Sequence, residues 1–166
     1  MEEQKKILKN YSDGVQRLDS LLEGLSEDQL NLVRQEGKWS IRQIVHHIAD
    51  AEEIWGLAIK TALGNTGCTF DLSWYKDNNL CAEPLDYAHR PIATALESFR
   101  LNRRMVVEMM EYFPDSFEKH IYLTKDTMPE PKRFDLAGIL GFQEVHLKMH
   151  LDQIRETRKV HGIWQE

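Results

Sequence analysis

The stretch GKWSIRQIVHHIADAE, residues 37–52, contains a well-marked helix start and two adjacent histidines one turn inside that helix. Ser40 is the expected N-cap, and Gln43 stands three positions later to complete a capping box. Trp39 precedes the cap and is placed to pack against Ile44 as a hydrophobic staple. The stretch therefore predicts an amphipathic helix with a defined register.

Outward from this stretch, apolar residues recur at helical spacing in three other segments, which predicts four long helices. They run from about Glu3 to Glu23, from Ser40 to Gly64, from a start between Asp86 and Pro91 to Pro114, and from Asp135 as N-cap to about Thr157. The two long connections, residues 65–85 and 116–134, show no clean period and are predicted as loops without sheet. The expected fold is all-α, a four-helix bundle in a single domain spanning residues 1–166.

Composition excludes several classes of protein. The 27 acidic residues outnumber the 21 basic ones, and the formal net charge of -6 opposes binding to nucleic-acid phosphates. The first residues lack the apolar segment of a secretory signal, and no later run approaches the roughly 20 apolar residues that span a bilayer. A cytoplasmic protein with no nucleic-acid or membrane partner is expected. Motifs for organic cofactors and for Ser-His-Asp triads are not found.

Histidines interrupt the inward stripes of two predicted helices, where leucine or isoleucine would pack without a polar group to satisfy. His146 and His150 lie at positions i and i+4, so their side chains share one helix face within roughly 6 Å and can hold one metal ion. Either His46 or His47 could add a third ligand if the second and fourth helices are neighbours. Helical spacing separates these two by about 100°.

His47 is the residue expected to point inward, because it lies between Ile44 and Ile48 on the apolar face. His46 falls on the flank that carries Arg42 and is expected to face solvent. Three neutral imidazoles would leave a coordination position open for water or substrate, as in catalytic rather than structural metal sites. Spacing alone leaves a second interpretation open, in which the histidines are hydrogen-bonded core residues and no metal binds.

No catalytic side chain is identified, but three residues are candidates to orient the ligands. A ligating imidazole usually donates its other N–H to a carboxylate or carbonyl. Asp50, three residues after His47, is the acid best placed for this, and Gln143 and Gln153 flank the histidines of the last helix. Glu52 lies about 140° from His47 around the helix and is not expected to act as a base.

Several other side chains receive ordinary structural interpretations. Cys68 and Cys81 fit neither a CxxC pair nor a four-thiolate zinc site and are expected to be free thiols. The pair Arg103–Arg104 is expected on the solvated surface. Trp74 and Tyr75, in the first long connection, are candidates to cover the site, with coverage of the bundle end or a dimer contact as equal alternatives.

Two segments of the chain together resemble a known family. WSIRQIVHHIADAE and HLKMHLDQI are similar to the two motifs of the DinB-like superfamily, which includes the YfiT-type metalloenzymes. The matching positions are Trp39, Ser40, His47, His146, His150, Gln153 and Ile154. The resemblance implies a bundle with an up-down-down-up path, often dimeric. It also implies that the three matched histidines bind a divalent ion, with zinc or nickel expected first and iron or manganese as alternatives.

The resemblance also implies an activity. HHIAD is most similar to the bacillithiol-transferase-like branch, although Ala51 and Glu52 depart from the pattern of that branch. The expected function is therefore transfer of a low-molecular-weight thiol to an electrophilic small molecule by a homodimeric metalloenzyme. Two alternatives are a hydrolase that uses a metal-bound water and a non-catalytic stress protein that binds a metal or a small ligand.

Overall fold

The computed structural model describes residues 2–75 and 81–164, and four long helices make up most of that part of the chain. They are α1 (Glu2–Leu22), α2 (Ile41–Gly64), α3 (Ala93–Tyr112) and α4 (Leu136–Val160). Short 3₁₀ turns span Gln29–Asn31 and Ser116–Glu118. The predicted four-helix bundle is confirmed. None of the helices in these residues has the length and apolar character needed to cross a membrane.

The start of α2 has both halves of the predicted capping box. The Gln43 backbone N–H donates to Ser40 Oγ at 3.2 Å, and the Ser40 N–H donates to Gln43 Oε1 at 2.9 Å. The capping box thereby gives hydrogen-bond partners to two backbone N–H groups at the start of the helix. Trp39 packs against the apolar cluster that contains Ile44. Because the cap sets the first residue of the helix, it also sets which face carries each histidine.

Helix α3 begins later than predicted. Ile92 is its N-cap, and Asp86 adopts a φ of 49°, which a right-handed helix does not include. Tyr87 is fully buried in the turn that follows Asp86. The segment before α3 therefore packs onto the bundle as irregular structure and does not extend the helix.

The two long connections form a small sheet, so the expectation of an all-α fold was wrong there. Its strands are β1 (Thr69–Asp71), β2 (His120–Thr124) and β3 (Lys132–Asp135). Strand β1 pairs in parallel with β2, which pairs antiparallel with β3. Ile121 and Leu123 are buried while Tyr122 between them is exposed. An alternation this short cannot be separated from loop by period alone.

The bundle core has two apolar halves with a polar layer between them. Helix α2 packs against α3 and α4, and α1 packs against the same two helices. One half lies beside the sheet, and the other surrounds Ile44 and Leu151. Along α2 the polar layer begins at His47 and ends at Glu52, both of which are buried. The contact between α2 and α4 thus places the histidines of the two helices at the same level.

Candidate metal centre

The structure brings the three histidines of the two motifs together. His47 projects from α2, and His146 and His150 project from successive turns of α4. The Nε2 atoms of His47 and His146 are 3.0 Å apart, and those of His146 and His150 are 3.1 Å apart. All three candidate ligand atoms lie within 4.8 Å of one another. A site shared by His47 and the two histidines of α4 requires α2 and α4 to be neighbours, and they are.

The cluster fits a metal ion better than a hydrogen-bonded group. A neutral imidazole nitrogen carries either one N–H or one lone pair. His146 Nε2 faces two other ring nitrogens, so it cannot make a linear hydrogen bond to both. A zinc ion with bonds of about 2.0–2.1 Å holds tetrahedral nitrogen ligands roughly 3.3 Å apart, close to the distances from His146 Nε2 to the other two Nε2 atoms. One ion would accept all three lone pairs.

Burial keeps these imidazoles neutral. Desolvation, with the neighbouring histidines as a smaller cause, lowers the pKa of His47 to about 3. Desolvation likewise lowers the pKa of His146 to about 4, with smaller contributions from His150 and Arg103. The pKa of His150 is also lowered by burial. Near pH 7 all three rings can offer a lone pair, which is the form that binds metal.

Gln153 orients His150. The His150 Nδ1–H donates to Gln153 Oε1 over 3.1 Å, which assigns the proton to Nδ1 and leaves the Nε2 lone pair facing the cluster. Aromatic side chains also pack against the rings of the three histidines. Trp39 lies 4.8 Å from the His47 ring and stacks on His150 at 6.3 Å, and Phe142 stacks on His146 at 5.9 Å.

Replacing Gln153 with leucine is expected to weaken zinc binding by about 10–100-fold, because the His150 Nδ1–H loses its acceptor and the ring loses its orientation. Competition with a chromogenic chelator measures this affinity. Gln153→Glu, which keeps an acceptor at the same place, is the matched control and should bind zinc at least as well as the unmodified protein. Equal zinc affinity in the leucine and glutamate variants would contradict the orienting role.

The other two orienting candidates lie elsewhere. The Asp50 carboxylate accepts a hydrogen bond from the Tyr87 hydroxyl, and His47 Nδ1 is buried with no partner in the described part of the chain. Asp50 stands at i+3 from His47 and at i+4 from His46. In the structure its carboxylate meets Tyr87, which stacks on His46, so it lies on the flank of His46. The Gln143 amide contributes a hydrogen bond to Glu52 instead of meeting His146.

The expectation that His46 faces solvent was wrong. Its side chain is 1% exposed, and its Nε2 lies 3.2 Å from the Arg90 carbonyl oxygen. The ring also stacks on Tyr87, with centroids 5.4 Å apart. The irregular segment before α3 covers this flank of α2, and sequence periodicity contains no signal for that contact. His46 is thus a buried core histidine whose ring nitrogen has a hydrogen-bond partner, while the adjacent His47 faces the cluster.

A buried ionic network that the sequence did not predict lies behind the histidines. Arg103 is 1% exposed, which corrects its assignment to the surface. Its Nε donates to Glu52 Oε2 at 3.0 Å, and its Nη1 donates to the Tyr11 carbonyl oxygen at 2.6 Å and to Glu144 Oε1 at 2.8 Å. The Tyr11 hydroxyl also donates to Glu52. Each of the four helices contributes to this network.

One sequence feature could have located the network. Arg103 falls at i+4 from Phe99 and i−3 from Val106, within the apolar stripe of α3, where a charged residue needs a partner. Gly14 on α1 leaves space for the guanidinium, since a Cβ there would lie 2.0 Å from Arg103 Nη1. A small residue on one helix opposite a long one on another is evident only after the helices are paired.

An apolar cavity of about 370 Å³ opens beside the cluster, with His47 and His146 in its wall. Its volume lies within the range of about 300–1,000 Å³ typical of small-molecule sites. Tyr75 from the first long connection forms part of the wall, whereas Trp74 is 63% exposed and does not line the cavity. The remaining wall is apolar except for Lys125.

Comparison with known proteins agrees with this architecture. A family model described as the DinB superfamily matches residues 11–154. This chain belongs to that superfamily. The "Putative metal-dependent hydrolase GK0616" of Geobacillus kaustophilus (strain HTA426) is 34% identical over 149 residues, covering 87% of this chain and 78% of that protein. The resemblance found in the two histidine motifs is therefore confirmed.

Two further similarities differ in extent. The "Putative metal-dependent hydrolase OB0413" of Oceanobacillus iheyensis is 38% identical over 56 residues, which cover 34% of this chain and 32% of that protein. The solved structure of YfiT from Bacillus subtilis superposes with a TM-score of 0.85 at 20% identity, over 99% of this chain and 90% of that one. YfiT is described as a four-helix bundle of unusual topology, and this chain shares its fold.

Proposed function

We propose that this protein is a metal-dependent enzyme in which His47, His146 and His150 hold a divalent ion beside a cavity that binds a small molecule. The observation that carries the proposal is the convergence of three neutral imidazoles, two of which, His47 and His146, lie in the wall of an apolar cavity of about 370 Å³. Zinc or nickel is proposed first, while iron and manganese remain alternatives for imidazole ligands. When bound, such an ion lowers the pKa of a thiol or of water and so supplies a nucleophile at neutral pH.

A low-molecular-weight thiol is the nucleophile that we propose first. Among the described residues that line the cavity, none is aspartate or glutamate, so no carboxylate there can take a proton from an attacking water. A thiol, with a pKa of about 8.5, is already partly deprotonated at neutral pH and depends less on a base. In the transfer, a C–S bond forms and the bond from that carbon to the leaving group breaks. The leaving group departs with the electron pair, and the thiol proton passes to solvent.

Hydrolysis is the second candidate, and the names of two relatives favour it. Both are called metal-dependent hydrolases, and one of them is similar over most of this chain. The same histidines and cavity would then position water in place of the thiol. A third role is reversible metal or ligand binding without turnover.

The test is to assay both reactions with protein purified without an affinity tag or chelator and loaded separately with zinc, nickel, iron and manganese. One assay pairs cysteine with 1-chloro-2,4-dinitrobenzene, and the other offers a p-nitrophenyl ester without thiol. We expect thiol-dependent product with the loaded protein, none with His47→Ala, and full activity with His89→Ala, which changes an exposed histidine. Ester turnover without thiol would replace the first candidate by the second. Bound metal without either reaction would support the binding role instead.

The direction of the helices is a further part of the proposal. An up-down-down-up path places the ends of α2 and α3 at one end of the bundle. Strand β1 follows α2, β2 follows α3, and the two strands pair in parallel, which supports this arrangement. At the opposite end, Arg158 of α4 donates to the carbonyl oxygen of Leu21 in α1, so these two helices finish together.

A homodimer and a cytoplasmic location complete the proposed assignment. Exposed apolar side chains on one face of α4 support a contact with a second subunit. These are Phe142, Val145 and Met149, which are 47%, 71% and 49% exposed. Phe142 also stacks on His146, so that face adjoins the proposed metal centre.

A further inference from the structure

Lys125 is the only residue with a charged side chain among the described residues that line the cavity. It follows strand β2, is partly buried, and holds its Nζ 5.9 Å from the centroid of the Tyr75 ring. In the described ranges, residues 2–75 and 81–164, its ammonium group forms no ion pair. A lysine that faces an apolar cavity without a carboxylate partner is available to a ligand.

The charge in the wall of the cavity is of one sign, positive. Its histidines are neutral ligands, so a divalent ion held by them would keep its full positive charge, and the Lys125 ammonium adds another. Within the described wall no side chain carries a negative charge. Positive charge in apolar surroundings is costly unless it is paired. An anionic occupant would lower that cost, whereas a neutral or cationic one would not.

The apolar part of the wall indicates what kind of ligand body the cavity can bind. Aromatic and aliphatic side chains surround the space between Lys125 and the histidines, among them Trp55, Leu72, Met128, Phe134 and Phe142. Such a surface binds an aliphatic or aromatic body by excluding water from it. The cavity therefore combines one cationic group with an extended apolar wall.

We propose that the substrate is a small organic acid with an apolar body, and that Lys125 determines specificity by binding its anionic group. This inference rests on the proposed function in one respect, since it takes the cavity beside the histidines as the substrate site. When a neutral analogue of the same shape binds, the ammonium group of Lys125 has no anionic partner in the complex. The analogue binds more weakly for that reason.

The experiment compares 4-phenylbutyrate with 4-phenylbutanamide, which differ in charge and hardly in size. Isothermal titration calorimetry measures both with metal-free protein, so that the carboxylate has no ion to bind, and again with zinc-loaded protein. The variants are Lys125→Met, which removes the charge at similar length, and Lys125→Arg, which keeps it. Lys132→Met is the matched control, because Lys132 is an exposed lysine of the same sheet that does not line the cavity.

We expect metal-free wild-type protein and Lys132→Met to bind the acid at least about tenfold more tightly than the amide, the ratio that one charge-assisted contact supplies. Lys125→Met should bind the two probes within about twofold of each other, while Lys125→Arg keeps most of the preference. Equal affinities in the wild type, or an undiminished preference in Lys125→Met, would overturn the inference.

Metal analysis of the same samples separates this inference from the proposed function. A protein that binds about one zinc per chain but does not distinguish acid from amide keeps the metal centre and overturns the role of Lys125. A protein that holds none of zinc, nickel, iron and manganese after loading, but prefers the acid through Lys125, supports the inference and overturns the metal-dependent function.

Discussion

Replacing His146 with alanine is expected to abolish stoichiometric zinc binding and lower zinc affinity by more than about 100-fold, while the bundle stays folded. His146 Nε2 lies between the other two ring nitrogens, at 3.0 and 3.1 Å, so its removal leaves a pair that no longer surrounds one point. The side chain is only half-buried, and its loss opens the cavity wall without removing core packing. His47→Ala should have the same effect on zinc.

Mass spectrometry of metals in untagged protein, together with a chelator competition, measures this prediction. Far-UV circular dichroism and urea unfolding show whether the variants keep the fold. His46→Gln is the matched control, because it changes the adjacent residue of α2, whose ring nitrogen meets the Arg90 carbonyl oxygen and not the cluster. We expect this control to bind zinc as the wild type does. Unchanged zinc content in both alanine variants would contradict the proposed metal centre.

The second large effect is expected in stability. Arg103→Met should lower the free energy of unfolding by about 3–5 kcal/mol, because it leaves the buried Glu52 carboxylate without its cation. Burial already raises the pKa of Glu52, and Arg103 is the main opposing influence that favours its ionised form. The backbone oxygen of Tyr11 also loses the hydrogen bond from Arg103. Urea denaturation followed by tryptophan fluorescence measures the change.

Arg104→Met is the control for this prediction, since the neighbouring arginine is exposed and its loss should change stability by no more than about 0.5 kcal/mol. Arg103→Met combined with Glu52→Gln should recover part of the lost stability, because the uncompensated charge is then gone. If the Arg103 and Arg104 variants unfold at the same urea concentration, the network does not stabilise the bundle in the way described.

Local sequence signals predicted the helices well because the interactions that form them are local. The capping box of Ser40 and Gln43 involves neighbours in the chain, and it is present as expected. The N-cap role of Asp135 is confirmed in the same way, by its hydrogen bond from the Gly138 N–H. The pairing of β1 with β2 joins residues far apart in sequence, and their short alternation resembled loop.

The errors share one cause, which is that a residue's burial depends on what packs against its helix. His46 was expected in solvent, but the segment before α3 covers it. Arg103 was expected on the surface, but α1 leaves room for it at Gly14 and α2 supplies Glu52. Asp50 was expected beside His47, but Tyr87 meets it on the other flank.

By itself the sequence determined the four helices, the position of each histidine along its helix and, through the two motifs, membership of a superfamily. Helical spacing carries that information because side chains three or four residues apart share a face whatever the rest of the chain does. Only the tertiary structure decided that α2 and α4 are neighbours, that His46 is buried under the segment before α3, and that Lys125 enters the same cavity as His47 and His146. Contacts between distant segments depend on how complete helices and strands pack, and no local period encodes them.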